Sequence, residues 1–374
     1  MKLQSLHVRS LEIPFKSVFR HASAERAATQ TLWVEAADAD GTTGYGEGCP
    51  REYVTGESLG TTAAFCSAHE RDWLHSICDL DSLREWGAAH VEEIDSDPAA
   101  WCAVELALLD LLGRRETRSV ESLLGLAELG GRFQYTAVLG DAQPAAFEAQ
   151  LEHYLRAGFK VFKLKLSGDA ARDAAKLRAL GGAGVPGHAV RADANNLWRS
   201  ADAAIAHLSG LDFRFCAIEE PVTAGDHAGM ARLAAALDTR IVLDESVLRA
   251  GDLDRLEDVA GTWIVNVRVS KMGGLLRSLA LLPELRRRGI GLIVGAQVGE
   301  TSVLTRAALT VASAGRDMLI AQEGAFGTHL LVRDVVDRPL MFGAGGMLDA
   351  EAVMTRIGGL GLPVNVAPSD LVQR

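Results

Sequence analysis

Apolar positions along the chain follow two different patterns, with a change near residue 130. In the first part, apolar and polar residues alternate over residues 2–14, 31–37 and 42–47, which is typical of strands with one exposed face. Residues 98–114 instead repeat apolar side chains at the helical period. Strands followed by helices predict an α+β domain over residues 1–128.

From residue 129 onward, short apolar runs alternate with helical patterns rich in Ala and Leu. The predicted strands are residues 133–139, 160–166, 189–193, 215–219, 240–244, 263–267, 291–295 and 318–321. The predicted helices are residues 144–157, 170–180, 199–208, 227–237, 275–288 and 302–314. Repeated strand–helix units predict an α/β fold with a parallel sheet, and seven or eight of them favour a TIM-type barrel over residues 129–322. Residues 323–374 are expected to return to the N-terminal domain, with one further strand at residues 339–342.

The composition narrows the possible functions. Of 374 residues, 48% are hydrophobic and 23% charged, which is enough apolar material for a large core. The formal net charge of −11 argues against nucleic acid as a partner, because phosphate binding requires a basic surface. No stretch without Lys, Arg, Asp or Glu exceeds 13 residues, so no membrane-spanning helix is expected. The N-terminal residues alternate like a strand rather than a signal peptide, and the five cysteines form no Cys-x-x-Cys motif, which together predict a cytoplasmic protein.

Charged residues occur where the predicted barrel strands end. Lys163 and Lys165 lie on one face of an apolar strand, since side chains alternate with period two. Asp193, Glu219 and Asp244 follow at the ends of the next three strands, 26 and 25 residues apart. Active sites of parallel barrels lie at the C-terminal ends of the strands, so these three carboxylates are expected to converge there.

Converging carboxylates repel one another unless a cation lies between them, and a set of oxygen ligands suits Mg²⁺. The spacing does not decide between Glu219 and Glu220 as the second ligand. Lys271, 27 residues after Asp244, reaches the same rim from the opposite side of the barrel. A single aspartate at a strand end is more often a helix cap, but the repetition at one-unit spacing favours a metal site.

Taken together, these motifs resemble the enolase superfamily, in its muconate lactonizing enzyme subgroup. The resemblance covers nearly the whole chain. Its ordered motifs are Gly44-Tyr-Gly-Glu-Gly48, Lys163-Leu-Lys165, Asp193-Ala-Asn195, Glu219-Glu-Pro221, Asp244-Glu-Ser246, Asn266-x-Arg268-x-x-Lys271 and Glu300. The resemblance implies an α+β capping domain over a modified (β/α)7β barrel, Mg²⁺ bound by Asp193, Glu219 and Asp244, and a homo-oligomer.

The chemistry implied by the resemblance is removal of the proton next to a substrate carboxylate, giving an enediolate that a divalent cation stabilises. By resemblance, Lys165 is the base on one face of the substrate and Lys271 the acid or base on the other. Lys163 is expected to lower the pKa of Lys165, and Glu300 to hydrogen-bond the substrate carboxylate. Two further residues are expected to support the site, Asn195 and Arg268.

Substrate choice in this family depends largely on two capping-domain loops, which would fall near residues 15–28 and 49–57. In the second loop, Arg51 and Tyr53 are expected to meet an acidic or polar group of the substrate. Residues 289–300 contain no histidine, which disfavours the mandelate racemase-like and dehydratase subgroups. The Asp-x-Asp with which dipeptide epimerases bind a substrate ammonium is missing after the eighth strand, where Glu323 is the available carboxylate.

Three functional hypotheses follow. The first is a Mg²⁺-dependent racemase or epimerase of an amino-acid derivative, because two lysines on opposite faces are what inversion by two bases requires. The second is a cycloisomerase of the muconate lactonizing type or a syn-dehydrating lyase of the o-succinylbenzoate synthase type, which can use the same lysines. The third is a catalytically silent barrel that only binds a partner, against which the intact ligand set and both lysines argue.

Overall fold

A computed structural model of the chain describes residues 2–21, 24–256, 259, 261–352, 354–355 and 357–373. Its first part is antiparallel, with strands β1 (Leu3–Leu11), β2 (Pro14–His21), β3 (Ala24–Ala28), β4 (Thr31–Asp38) and β5 (Thr43–Gly48). Strands β1, β4 and β5 pair side by side in one sheet, whereas β2 and β3 form a separate hairpin. That hairpin is the first predicted specificity loop, of which residues 22 and 23 lie outside the described part of the chain.

Six helices follow, α1 (Glu52–Thr55), α2 (Leu59–Ser76), α3 (Leu80–Ala89), α4 (Val91–Ser96), α5 (Pro98–Glu116) and α6 (Val120–Leu124). Helix α5 is buried over nearly its whole length and packs against β5. Close packing is possible because β5 carries glycine at alternate positions, Gly44, Gly46 and Gly48. A Cβ atom on any of these three glycines would overlap a carbonyl oxygen of α5.

The barrel consists of eight parallel strands that alternate with helices. After a short strand β6 (Arg132–Gln134), its strands are β7 (Ala137–Leu139), β8 (Phe162–Lys165), β9 (Val190–Asp193), β10 (Ala217–Glu219), β11 (Arg240–Leu243), β12 (Trp263–Val267), β13 (Gly291–Val294) and β14 (Leu319–Gln322). Its helices are α7 (Pro144–Arg156), α8 (Ala170–Gly182), α9 (Ala201–Gly210), α10 (His227–Leu237), α11 (Leu275–Arg288) and α12 (Ser302–Ala314). A 3₁₀ helix, Ala250–Arg255, stands between β11 and β12. The amide of Thr136 donates to the Gln322 carbonyl and links the first barrel strand to the last.

The barrel interior is apolar at one end and charged at the other. A separate cluster of buried apolar side chains lies on five neighbouring barrel strands, Ala217, Val242, Ile264, Ile293 and Ala321. On β10, Glu219 follows Ala217 by two positions and therefore lies on the same face of the strand. The strand ends are therefore where polar side chains can enter the barrel.

The C-terminal residues connect both parts of the molecule. Strand β15 (Met347–Asp349) pairs with β6, and strand β16 (Leu371–Gln373) pairs with β1. The predicted strand at residues 339–342 is wrong, since these residues form no strand and β15 begins eight residues after residue 339. The predicted strand at residues 133–139 is divided, because β6 leaves the barrel to pair with β15 before β7 begins. The predicted fold class, a modified (β/α)7β barrel with an N-terminal α+β domain, is confirmed.

Buried carboxylates of the N-terminal domain hold the first turns of two barrel helices. Glu47, on β5, accepts hydrogen bonds from the amide and the hydroxyl of Thr301 at the start of α12. Glu105, on α5, accepts one from the amide of Leu276 at the start of α11. Unpaired amides at a helix N-terminus favour negative charge, so these two contacts join the domains at defined positions.

A buried ion pair adds a third connection between the domains. The guanidinium of Arg306, on α12, contacts both carboxylate oxygens of Glu121, on α6, at 2.7 and 2.8 Å. Its Nε donates to the carbonyl of Leu360 at 2.8 Å, so the C-terminal segment takes part as well. Both charged side chains are almost fully buried.

Among the described residues, no helix is long and apolar enough to cross a membrane.

Candidate active site

The three predicted metal ligands lie at the ends of neighbouring barrel strands. Asp193 ends β9 and is the register partner of Glu219, which ends β10. Asp244 follows β11 directly, two residues beyond the register partner of Glu219. All three side chains are buried. The sequence spacing therefore brings them together at one end of the barrel, as predicted from the parallel topology.

Two lysines of β8 contact these carboxylates. The Nζ of Lys163 lies 3.2 Å from Asp193 and 2.8 Å from Glu219. The Nζ of Lys165 donates to Asp193 Oδ2 and to Asn195 Oδ1, both at 3.0 Å. Lys163 is 4% exposed and Lys165 17%, so Lys165 is the more open of the two toward the end of the barrel.

Residues that follow β12 contact Asp244 from the other side. The Nζ of Lys271 donates to three oxygens, the Asp244 carboxylate at 2.9 Å and the carbonyls of Asp244 and Asn266 at 2.6 and 2.8 Å. Arg268 donates to the second carboxylate oxygen of Asp244 and, at 2.9 Å, to Gln297 Oε1. Lys165 and Lys271, which are predicted to act on opposite faces of the substrate, thus contact two different carboxylates of the set, Asp193 and Asp244.

The electrostatic environment differs among the three carboxylates. Burial would raise the pKa of Asp193, yet Lys163 and Lys165 hold that pKa below its usual range. Burial would also raise the pKa of Asp244, yet Arg268 and Lys271 hold that pKa below its usual range. Burial raises the pKa of Glu219 to about 7, against the attraction of Lys163. Glu219 is therefore the carboxylate for which the protein's own charges compensate least.

The donor set fits a hard divalent cation, since its members are carboxylates on three adjacent strands, and the buried Glu219 Oε2 has an ion-pair contact to Lys163 at 2.8 Å but no well-aligned hydrogen bond. Within the described residues, no three acidic, His or Cys side chains form a ready-made metal cluster. The three carboxylates do not form such a cluster because each of them contacts ammonium or guanidinium groups of the protein. A metal ion bound there would replace contacts that these cations now make.

Glu220, the alternative ligand that the spacing left open, has a different environment. Its carboxylate accepts hydrogen bonds from the amides of Asp244 and Ser246 at 2.7 and 2.8 Å, and from the Ser246 hydroxyl at 2.8 Å. Its backbone φ is 41°, in the left-handed region, so it leaves the alternation of β10. Through these three hydrogen bonds the carboxylate of Glu220 holds the loop after β11 in place.

The other predicted site residues are placed unequally. Tyr53 lines the cavity at the end of the barrel. Arg51 does not, because its buried guanidinium donates to the main-chain carbonyls of residues 29, 30, 50 and 298 and joins the second capping loop to the barrel. Glu300 accepts a hydrogen bond from the main-chain N–H of Gln297 at 2.6 Å, and burial raises the pKa of Glu300 to about 8. It is not among the residues that line this cavity.

The cavity has a volume of about 240 Å³, and Asp193 is the member of the carboxylate set that lines it. Its charged lining comprises Lys163, Lys165, Arg268, Asp193, Glu245 and Glu323. The remaining wall is mainly apolar and includes Val138, Tyr154, Val298, Phe326 and Leu330. Such a combination can bind the carboxylate end of a small molecule at the strand ends and its apolar part against the wall.

No role was predicted from the sequence for one charged residue of the interior, Arg191. Arg191 lies two positions before Asp193 on β9 and is buried. It contacts Glu323 Oε1 at 2.7 Å, and Lys163 contacts Glu323 Oε2 at 3.0 Å. The period-two relation to Asp193 is the signal that places Arg191 inside the barrel. Glu323 thus faces two protein cations.

The chain is similar to proteins of known family over most of its length. The protein family described as "Enolase C-terminal domain-like" matches residues 146–366. An L-Lys-D/L-Arg epimerase of Methylococcus capsulatus is 30% identical over 97% of this chain and 99% of its own length. The chain belongs to the enolase superfamily. The predicted assignment to its mandelate racemase/muconate lactonizing enzyme group is confirmed.

Further members of the superfamily resemble the chain over most of its length. A hydrophobic dipeptide epimerase of Enterococcus faecalis is 26% identical over 87% of this chain and 92% of its own. The crystal structure of an N-succinyl Arg/Lys racemase from Bacillus cereus has a TM-score of 0.82 at 22% identity and covers 98% of this chain and 96% of that one. These relatives confirm the predicted enzyme class, an isomerase of the enolase superfamily.

One structural neighbour was determined with ligands. The dipeptide epimerase from Enterococcus faecalis V583 was crystallised with Mg and the dipeptide L-Leu-L-Tyr. Its structure has a TM-score of 0.80 at 24% identity, covering 97% of this chain and 99% of that one. At this identity the likeness establishes the shared fold.

Proposed function

We propose that this protein is a Mg²⁺-dependent racemase or epimerase that inverts the carbon next to the carboxylate of an amino-acid derivative. The observation that carries the proposal is the placement of Lys165 and Lys271 against two carboxylates of one buried set, Asp193 and Asp244. The relatives named as racemases and epimerases of amino-acid derivatives support the same reaction.

The proposed metal ligands are Asp193, Glu219 and Asp244. Mg²⁺ bound by them would supply positive charge beside the substrate carboxylate, where negative charge grows as the α-proton leaves. Arg268 already contributes a buried positive charge next to Asp244. We propose that it supports the site by fixing the orientation of that carboxylate rather than by moving protons.

The two lysines are the proposed acid–base groups. Lys165 Nζ would remove the α-proton on one face of the substrate, and the hydrogen bond to Asn195 Oδ1 would hold it in place. Lys271 Nζ would deliver a proton to the opposite face. Lys163 would remain a cation, because Asp193, Glu219 and Glu323 raise its pKa well above the usual value despite burial. Glu300 is proposed to hydrogen-bond the substrate carboxylate, and Tyr53 to contact its distal part.

The test follows the α-proton by NMR in D₂O with Mg²⁺, using both enantiomers of N-acyl amino acids and dipeptides. The native protein should exchange the α-proton of both enantiomers and interconvert them. Lys165→Ala and Lys271→Ala should each abolish interconversion while each retains exchange of only one enantiomer. Lys160→Ala, an exposed lysine before β8, is the matched control and should behave like the native protein. Absence of exchange with every α-substituted carboxylate would refute the proposal.

One observation favours the second hypothesis, a cycloisomerase or syn-lyase. The Lys271 ammonium has three acceptors and does not line the cavity, which suits a fixed cation beside an enediolate. In that case Lys271→Arg should keep measurable turnover, because Arg retains the charge. A two-base racemase should lose it.

The predicted cytoplasmic location and homo-oligomeric state remain part of this proposal. Reduced thiols and the oligomer mass can be measured directly on protein purified without reductant, by thiol titration and light scattering.

A further inference from the structure

A second cavity lies at the end of the barrel opposite to the candidate active site. Its volume is about 240 Å³, and it is lined where strands begin, by Thr136 before β7, Val161 before β8 and Leu319 at the start of β14. The candidate active site is instead lined by residues at or beyond the ends of the same strands, such as Lys165 and Glu323. The two cavities thus share strands but no lining residue. The cavity at the strand starts is called the lower cavity below.

The charged residues that line the lower cavity are both arginines, Arg132 and Arg316. The guanidinium of Arg316 lies over the ring of Phe133, 5.0 Å from its centroid, and donates to the Gly130 carbonyl at 3.4 Å. The described part of the chain places no carboxylate within ion-pair distance of either arginine, although Asp349 is the register partner of Arg132 on β15. Two guanidinium groups without a counter-charge favour an anion, and their planar donors suit a carboxylate.

A buried side-chain amide belongs to the same wall. Gln322 lines the lower cavity and is 1% exposed, and within the described residues neither its side-chain oxygen nor its side-chain nitrogen has a hydrogen-bond partner. The main chain of Gln322 is fixed, because its carbonyl accepts from the amide of Thr136. A buried amide without partners is unfavourable. A ligand that both donates and accepts a hydrogen bond would remove this cost.

The remaining wall of the lower cavity is largely apolar. It includes Val161, Leu319, Ile320 and Ala321, and the side chain of Ile320 is 37% exposed. The volume is much larger than a single small ion needs, since one water molecule occupies only about 30 Å³ in the liquid. The cavity therefore has room for several apolar atoms beside an anionic group.

We propose that the lower cavity binds a small carboxylate that also carries an amide and a short apolar chain. Arg132 and Arg316 contact the carboxylate, Gln322 exchanges hydrogen bonds with the amide, and the apolar chain packs against Leu319 and Ile320. This site shares no residue with the candidate active site, so the inference does not depend on the proposed function.

The test uses N-acetylglycine as the probe and N-acetylglycinamide as its uncharged counterpart. Each is titrated into the full chain with Mg²⁺ while NMR follows the side-chain Nε–H signals of the arginines, which single Met variants assign. With N-acetylglycine the signals of Arg132 and Arg316 should shift and saturate, whereas that of Arg232, an exposed arginine of α10, should not move. N-acetylglycinamide should bind at least about tenfold more weakly, because it lacks the charge that the guanidinium groups attract.

Variants of the lining residues test each part of the site. Arg132→Met and Arg316→Met should each weaken N-acetylglycine binding at least about tenfold, measured at the signal of the remaining arginine. Both arginines are exposed, so these variants should keep the native fold. Gln322→Met should weaken binding about fivefold, because its hydrogen bonds with the probe are lost. The matched control Arg232→Met should leave the Kd within about twofold.

Three results would overturn the inference. The first is an unchanged Kd in both Arg132→Met and Arg316→Met, and the second is equal affinity for the two probes. The third is loss of the Arg132 and Arg316 shifts in Lys165→Ala, because that variant changes only the cavity at the other end of the barrel. Shifts that persist in Lys165→Ala and disappear in the arginine variants would confirm a separate carboxylate site.

Discussion

Glu219 and Glu220 are neighbours in the chain and have unrelated surroundings. Glu219 continues the inward alternation of β10 and meets Lys163, whereas Glu220 turns through a left-handed φ and accepts three hydrogen bonds from residues 244 and 246. Glu219 is therefore suited to binding a metal ion, and Glu220 to holding the loop after β11.

This difference predicts opposite outcomes for the same chemical change. Glu219→Gln should weaken Mg²⁺ binding by at least about 100-fold, because one anionic ligand is lost. Glu220→Gln should leave Mg²⁺ affinity within about threefold but reduce the free energy of unfolding by about 1–2 kcal/mol, because one acceptor oxygen is replaced by a donor. Calorimetric Mg²⁺ titration and urea unfolding check both variants. The reverse pattern would identify Glu220 as the ligand.

Glu47 predicts a pH dependence of stability. Burial raises its pKa to about 7 against the hydrogen bonds from Thr301, whereas the unfolded chain has the ordinary glutamate value near 4.5. The folded form therefore binds the proton more tightly, and stability falls as the pH rises from about 4.5 to 7. One carboxyl group with this shift would account for roughly 3 kcal/mol.

Glu47→Gln removes this titration while it keeps an acceptor for Thr301. Urea unfolding from pH 4.5 to 8 should show a smaller loss of stability for the variant than for the native protein. The difference between the two proteins should develop below pH 7 and remain constant above it. Parallel curves would show that Glu47 keeps an ordinary pKa in the folded protein.

Some residues of the site could be predicted from the sequence and others could not. Asp193, Glu219 and Asp244 were predictable because period-two alternation and one-unit spacing are properties of the chain itself. Arg51 was expected at the substrate, since a charged residue on a loop suggests an open position. Its guanidinium is buried because it donates hydrogen bonds to four carbonyls from three segments of the chain. Contacts between distant segments cannot be predicted from a local sequence pattern.

At the scale of elements, β5 shows how one strand can serve two neighbours. Its glycines face α5, and between them Glu47 faces the barrel helix α12. Period-two alternation thus separates a surface for close helix packing from a polar contact to the other domain.

The packing face of β5 predicts a strong effect of a single methyl group. Gly46→Ala should lower the free energy of unfolding by about 3 kcal/mol, because its Cβ atom would overlap the Ala103 carbonyl and neither backbone can move freely. Gly181→Ala is the matched control, in an exposed position near the end of α8 with open space around the new atom. It should raise the free energy of unfolding slightly, by about 0.5 kcal/mol, because Ala is favoured over Gly in a helix. Equal urea midpoints for the two variants would contradict the close approach.

The barrel elements were largely predictable, whereas the C-terminal elements were not. Strands β8 to β13 fall inside the predicted ranges, because short apolar runs between helical patterns carry a strong signal. The division of residues 133–139 results from β15, which pairs with β6 across more than 200 residues, and the structure has no strand at residues 339–342. Long-range pairing of this kind leaves no trace in local periodicity.

For the whole molecule, the ion pair of Arg306 and Glu121 is an important contact between domains. Arg306→Met should lower stability by roughly 3–5 kcal/mol, because Glu121 would stay buried without its partner. Adding Glu121→Leu should recover a measurable part of this loss, since the uncompensated charge is removed. Arg232→Met provides the exposed control, as its pair with Asp202 is open to solvent and should contribute no more than about 1 kcal/mol. Additive losses in the double variant would show that the pair is not coupled.

The pairing of β16 with β1 has a consequence for synthesis of the protein. Ser10 and Val372, which touch across these strands, are 362 positions apart. As the chain leaves the ribosome, β1 appears long before its partner, because these 362 positions must be translated in between. During that time the edge of β1 is open, and an open strand edge is the kind of surface that recruits other strands. Slow elongation or a stalled message should expose this edge longest, and factors that bind nascent chains would find their clearest target on the side of β1 that faces residues 371–373.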